Sequence, residues 1–326
     1  IRYTKCAKPN KYGEMNLQSK IYIAGHTGLV GSAIVRKLEM RGYKNLIYQT
    51  SAQLDIRNQR AVNDFFDHQK PEYVFFAAAK VGGIQANLSY RSAFIYDNLQ
   101  IQTNAIQAAH FSRVKKLLFL GSSCLYPRLA TQPIRETELL TSALEPSNEY
   151  YAIAKIAGIK LCQAYKLDFG CNFITVMPPN LYGPNDHYDL ETCHVLPALI
   201  RKIHEAKKHD IPTLSLWGSG TPRREFLHVD DLSEALLTLM LEYDEVSPIN
   251  IGASTDLSIC QLAQLIKRII CYKGDIQFDL TKSDGTPSKL MDSRKAVQLI
   301  HWKPTISLEN GIRELYASLE EEEWYG

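Results

Sequence analysis

The sequence predicts an α/β protein, a doubly wound parallel Rossmann sheet joined to a smaller, discontinuous α/β domain. Three observations carry that prediction. Short apolar runs alternate with segments of helical spacing along most of the chain, and a glycine-rich turn links the first strand to the first helix. Runs such as Tyr73-Val74-Phe75-Phe76-Ala77-Ala78-Ala79 are apolar almost throughout rather than at every second position. A strand of that kind is covered on both faces, as in a parallel sheet flanked by helices, and repeated strand and helix units are the pattern of doubly wound folds.

The first strand, Lys20-Ile21-Tyr22-Ile23-Ala24, runs into Gly25-His26-Thr27-Gly28-Leu29-Val30-Gly31, after which Ala33, Ile34, Leu38 and Met40 recur at helical spacing. A second strand follows at Leu46-Ile47-Tyr48, then a helix over 58–68, the strand at 73–79, and the loop Lys80-Val81-Gly82-Gly83-Ile84. A long helix is expected over about 94–110, a strand at Lys116-Leu117-Leu118-Phe119-Leu120, a helix carrying Tyr151 and Lys155 to about Phe169, and a strand at 173–177. Beyond Asn180-Leu181-Tyr182-Gly183-Pro184 the pattern loosens, with a helix over about 194–208 and a strand at 213–217. Phe226 to Asp231 leads to a helix over 232–241 that returns to the first domain; a helix at 259–270, a strand at 276–280 and a final helix from Leu308 complete the chain. The resulting division is a cofactor domain of residues 19–180 with about 225–255, and a substrate domain of about 181–224 with 256–326. Residues 1–18, with Lys5, Lys8 and Lys11 and no apolar period, are expected to be a flexible tail, and the acidic run 320–323 a solvated helix end.

Composition narrows the function. With 37 Lys and Arg against 35 Asp and Glu the chain has almost no net charge, which argues against a nucleic-acid or membrane-surface protein. The seven cysteines are scattered without a CxxC pair, so neither a disulfide framework nor a metal site is indicated, and a reducing cytoplasm fits. No run approaches the ~20 apolar residues of a spanning helix.

Two motifs carry chemistry. Gly25, Gly28 and Gly31 let the backbone approach a pyrophosphate at a helix N-terminus, and Asp55-Ile56, past the second strand, sits where an adenine would be gripped. In Tyr151-Ala152-Ile153-Ala154-Lys155 the i, i+4 spacing puts phenol and ammonium on one helix face, where the cation is expected to lower the phenol's pKa and make it a proton donor to a carbonyl receiving hydride. Ligands of such sheets bind at the carboxyl ends of strands, where Gly25, Ala79, Ser122 and Pro178 fall. Each short motif has a plainer reading as well. Tyr151 and Lys155 suit an ordinary amphipathic helix, Cys124 an inert buried thiol, His194 a structural helix-start residue, Trp217 a core residue, and Lys202 and Arg224 surface charges.

Taken together, GxxGxxG, Ser122 and Tyr151-x-x-x-Lys155 resemble the extended short-chain dehydrogenase/reductase family. Longer segments resemble the branch of that family that epimerises GDP-4-keto-6-deoxymannose at carbons 3 and 5 and reduces carbon 4 with NADPH to give GDP-L-fucose. These are Ala77-Ala78-Ala79-Lys80-Val81-Gly82-Gly83-Ile84, Gly121-Ser122-Ser123-Cys124-Leu125-Tyr126-Pro127, His194-Val195-Leu196-Pro197-Ala198-Leu199 and Trp217-Gly218-Ser219-Gly220-Thr221-Pro222-Arg223-Arg224-Glu225-Phe226. The resemblance covers about residue 19 to the C-terminus. It implies a ketone-activating set of Ser122, Tyr151 and Lys155 and an epimerisation pair of Cys124 and His194, whose thiol and imidazole exchange protons near neutral pH. For the GDP-sugar it implies Asn180, Lys202, Trp217, Arg224, Asp284 and Lys289. For NADP it implies the turn residues Gly25, Thr27, Gly28, Leu29, Val30 and Gly31, then Ser51, Asp55 and Ile56. Ala77, Ala79, Leu120, Lys155, Pro178, Asn180, Leu181 and His194 complete the implied cofactor site. Where relatives carry arginine for the NADP 2'-phosphate this chain has Thr27 and Gln49-Thr50-Ser51, yet no Asp or Glu ends the second strand to suit NAD. Apolar residues on more than one face of the helices near 94–110 and 151–169, with the resemblance, imply a homodimer through a four-helix interface. Two rivals stand beside this reading: another nucleotide-sugar 4-epimerase or 4,6-dehydratase, and a non-catalytic cofactor-binding sensor.

Overall fold

The computed structural model describes residues 15–282 and 284–321. Its first half alternates strand and helix: β1 (Ile21–Ala24), α1 (Leu29–Met40), β2 (Leu46–Ile47), α2 (Gln59–Gln69), β3 (Tyr73–Phe76), α3 (Ile84–Ser89), α4 (Arg91–Phe111), β4 (Lys116–Leu120), α5 (Glu149–Phe169) and β5 (Phe173–Met177). Then come β6 (Asn180–Tyr182), α6 (Val195–Lys208), β7 (Thr213–Trp217), β8 (Arg223–His228), α7 (Val229–Glu242) and β9 (Ile249–Asn250). The chain ends with β10 (Asp256–Ser258), α8 (Ile259–Ile270), β11 (Asp275–Asp279), β12 (Ser288–Lys289), α9 (Arg294–Ile300) and α10 (Leu308–Glu321).

The main sheet has six parallel strands in the order β2-β1-β3-β4-β5-β9. Its strands are buried on both faces because successive side chains feed two different cores. Ile21, Ile23, Phe75 and Leu118 pack with Leu232, Leu236 and Leu239 of α7 on one side. Tyr22, Val74, Phe76 and Phe119 pack with Phe66 of α2, Ile106 of α4 and Ile159 of α5 on the other. The chain moves outward from β1 to β2, then crosses to β3 on the opposite side of β1, which places a topological switch point between β1 and β3. A third core, including Ile200, Ile203, Leu262, Ile266 and Ile312, holds α6, α8 and α10 together over the smaller sheets.

Several sequence expectations are corrected here. β3 stops at Phe76, and Ala77 to Ala79 form the loop that crosses the sheet's carboxyl edge. Residues 15–18 are no loose tail: Met15 is buried in the first core and Ser19 Oγ accepts from the Asn16 amide at 3.0 Å. Residues 1–14 lie outside the described residues, as does the acidic run beyond Glu321. The segment after 256 also reaches the main sheet, since Ala296, Ile300 and Trp302 pack into the first core and Met291 into the second. Two- and three-residue strands such as β10 and β12 carry no readable period, and they form through pairing with β8. Among the described residues no helix is long and apolar enough to cross a membrane.

Candidate active site

A cleft of about 1130 Å³ opens at the carboxyl ends of β1, β3, β4 and β5 and extends under α6 and β8, and every residue expected at the site lines it. Gly25 adopts φ +81°, a left-handed conformation glycine accepts without strain. A Cβ on Gly31 would stand 2.0 Å from the Gly25 carbonyl oxygen, and one on Gly25 would stand 2.9 Å from the Ala78 amide nitrogen. Both glycines are therefore required for α1 to dock on its own turn and for the loops after β1 and β3 to meet. Gly28 caps α1 without a side chain, so the amides of Leu29, Val30 and Gly31 and the helix dipole face the cleft, an arrangement that fits a dinucleotide pyrophosphate. Thr27 lies beside them. Ser51, Asp55 and Ile56 line the far end, with Ala77, Ala79, Leu120, Pro178 and Leu181 along the floor. The Asp55 carboxylate is engaged by Arg57 at 2.9 Å, and Arg57 also reaches Asp97 at 3.5 Å.

Ser122 follows β4 in extended conformation, and its Oγ accepts the Cys124 amide hydrogen at 3.2 Å, which starts the 3₁₀ turn Ser123–Leu125. The hydroxyl proton can be donated either to the Cys124 sulfur or to a ligand in the cleft. Tyr151 is held edge-on to Phe94 with ring centroids 6.3 Å apart. Lys155 is buried one helical turn on, its ammonium 4.1 Å from the centre of the Phe119 ring. The expected lowering of the phenol's pKa is not what this geometry produces. Burial, then the negative charge Cys124 carries when ionised, push Tyr151 up instead, while burial pulls Lys155 down to about 7. The i, i+4 spacing set the two groups on one helix face, but desolvation outweighs the attraction between them.

Cys124 lies within 3.2 Å of Lys289 Nζ. Burial alone would raise its pKa, but the Lys289 ammonium, the Ser122 hydrogen bond and Arg224 overcome that and hold the thiol below its ordinary value. His194 caps the start of α6. Its ring lines the cleft, and desolvation, then the charges of Lys289 and His187, hold its pKa below the ordinary imidazole value. Asn180 sits on β6, held against β8 by pairing with Phe226. Lys202 projects from α6, Arg224 from β8, and Trp217 from the end of β7 with 46% exposure. Asp284 accepts from the Ser219 amide and hydroxyl, both at 2.7 Å.

Two cleft residues were not anticipated. Burial raises Asp186 to about 7, and its Oδ2 has no partner. Glu145 accepts from Ser147 at 3.1 Å and pairs with Arg128 at 3.2 Å. Neither belongs to a local motif, so only the turn residues around them, Pro184-Asn185 and Pro146, hinted at loops on the cleft rim.

The chain belongs to the NAD dependent epimerase/dehydratase family, whose model matches residues 21–252. More narrowly, it is similar to the GDP-L-fucose synthase 1 of Arabidopsis thaliana, 53% identical over 94% of this chain and 93% of that one. It is also 50% identical to the GDP-L-fucose synthase of Escherichia coli, over 92% of this chain and 96% of that one. Among solved structures it is similar to a GDP-mannoheptose C4 reductase from Campylobacter jejuni with NADP bound, with a TM-score of 0.86, 38% identity, and coverage of 94% of this chain and 99% of that chain.

Proposed function

We propose that this chain converts GDP-4-keto-6-deoxy-D-mannose to GDP-L-fucose, epimerising carbons 3 and 5 and then reducing the carbon 4 ketone with NADPH. The observation that carries the reading is one cleft holding both a reductive set, Ser122, Tyr151 and Lys155, and a proton-exchanging pair, Cys124 and His194. The similarity to GDP-L-fucose synthases over nearly the whole chain supports it. A 4-epimerase has no use for the second pair, a 4,6-dehydratase needs a carboxylic acid where Ser123-Cys124 stand, and a sensor needs no proton donor.

The glycine turn and the uncapped start of α1 would hold the cofactor's pyrophosphate, and bound there NADPH supplies the hydride. The carbon 4 ketone acidifies the hydrogens on carbons 3 and 5. Cys124 and His194 take and return those protons. Ser122 donates a hydrogen bond to the ketone oxygen, and Tyr151 gives its proton to the alkoxide, which is more basic than a phenolate even with the raised phenol pKa. Lys202, Arg224 and Trp217 would hold the GDP portion, the two cations on the diphosphate. Incubation with GDP-4-keto-6-deoxymannose and NADPH tests the reading: GDP-L-fucose should form with stoichiometric NADPH oxidation, and interconversion of UDP-glucose and UDP-galactose without it would overturn the assignment.

The same reading includes a homodimer through α4 and α5. Tyr96, Phe111, Tyr150 and Ile153 on these helices are 40% or more exposed, a surface suited to a self-complementary contact. Sedimentation of a monomer at micromolar concentration would refute it. It also divides the protein into a cofactor region around the main sheet and a substrate region around the third core. A cytoplasmic location is supported by the six unpaired cysteines among the described residues, and cell fractionation checks it.

A further inference from the structure

We propose that Lys289 is a positioning residue for the epimerisation step, its ammonium holding Cys124 as a thiolate. The inference rests on the activity assigned above, and it differs from the role the family resemblance gives Lys289, that of a GDP-sugar ligand. Lys289 lies on β12, which pairs in parallel with β8 so that Lys289 stands opposite Arg224. From that strand its Nζ reaches Cys124 Sγ at 3.2 Å, across 165 residues of sequence. Nothing local could bring the two together. The contact depends on β12 docking beside the substrate cations while β4 delivers the thiol.

The charges around the sulfur come from every element packed on it. Ser122 at the end of β4 is hydrogen-bonded to the Cys124 amide, Lys289 and Arg224 approach from β12 and β8, and Tyr151 from α5, while His194 at the start of α6 faces the same Lys289 ammonium. The Glu145 carboxylate acts on Arg224 and favours its charged form. Against the cost of burying a thiolate, Lys289 is the largest favourable influence, and the same ammonium disfavours a proton on His194. The cation therefore favours the thiolate, the form of Cys124 that abstracts a proton beside a ketone.

The test is the pH dependence of Cys124 alkylation by iodoacetamide, a neutral reagent, read by peptide mass spectrometry on the full chain without substrate. Wild type should show a midpoint below the ordinary thiol value of ~8.5. Lys289→Met should move it up by about one pH unit, so that alkylation at pH 7 falls several-fold, and Lys289→Arg should restore it. The exposed Cys271 serves as an internal control whose profile stays constant if the fold is intact. A wild-type midpoint at or above the ordinary value, or the same Cys124 profile in wild type and Lys289→Met, overturns the proposal. Because no turnover is measured, a shifted profile in a protein inactive on the keto sugar would overturn the assigned function and leave the Lys289 effect standing.

Discussion

Replacing Lys155 by methionine should make the protein more stable at neutral pH while removing its reductase activity. Lys155 is 3% exposed, so solvent does not screen its charge, and folding lowers its pKa from 10.5 to about 7. Between those values the unfolded chain holds the proton and the folded chain does not, so wild-type stability rises with pH across that window. Below pH 7 both states are protonated and the burial penalty is complete; above pH 10.5 it is gone. The penalty amounts to roughly 4 kcal/mol at pH 7 and roughly 2 kcal/mol at pH 9. Methionine fills similar space without a charge. Loss of the contact with Phe119 offsets at most about 2 kcal/mol, which leaves the variant ahead by ~2 kcal/mol at pH 7. Urea unfolding of both proteins at pH 7, 8 and 9, without added cofactor, should show the advantage of Lys155→Met shrinking by about 2 kcal/mol across the series. In the same variant kcat for ketone reduction should fall by at least about 10²-fold. A constant stability difference across pH, or a variant less stable than wild type at pH 7, would refute the reasoning.

Tyr151→Phe removes only the phenolic hydroxyl, so substrate-dependent NADPH oxidation should fall by about 10²–10⁴-fold while solvent deuterium still enters the sugar at carbons 3 and 5. The converse is expected of Cys124→Ser, whose hydroxyl cannot exchange protons near neutrality: deuterium incorporation beside carbon 4 should drop, and the reduced product should be a GDP-6-deoxyhexose other than GDP-L-fucose. Undiminished exchange with normal GDP-L-fucose output would return Cys124 to the inert thiols. Gly31→Ala drives a methyl to 2.0 Å from the Gly25 carbonyl oxygen, so α1 must leave its turn; a stability loss on the order of 3 kcal/mol and weakened NADPH binding by fluorescence titration are expected, and wild-type affinity would show that the turn does not hold the cofactor.

Much of this protein is legible in its sequence because the information is local. The strands at Phe173–Met177 and Thr213–Trp217 and the helix at Ile259–Ile270 fall where their apolar periods place them, since backbone periodicity and burial act over a few neighbouring residues. The glycine turn, Ser122, Tyr151 and Lys155 lie at strand ends or on a helix face, which is why the expected residues converge on one cleft. The tertiary structure alone decided what depends on residues far apart in the chain. The segment around Ala296 and Ile300 returns to the first core, packing against residues more than 200 positions earlier that no local pattern could identify. β12 exists only through β8, and with it the contact between Lys289 and Cys124. The protonation of Tyr151 and Lys155 was misjudged for the same reason: spacing brings charges near one another, but the free energy of a charge is set by how much water the whole fold removes from it.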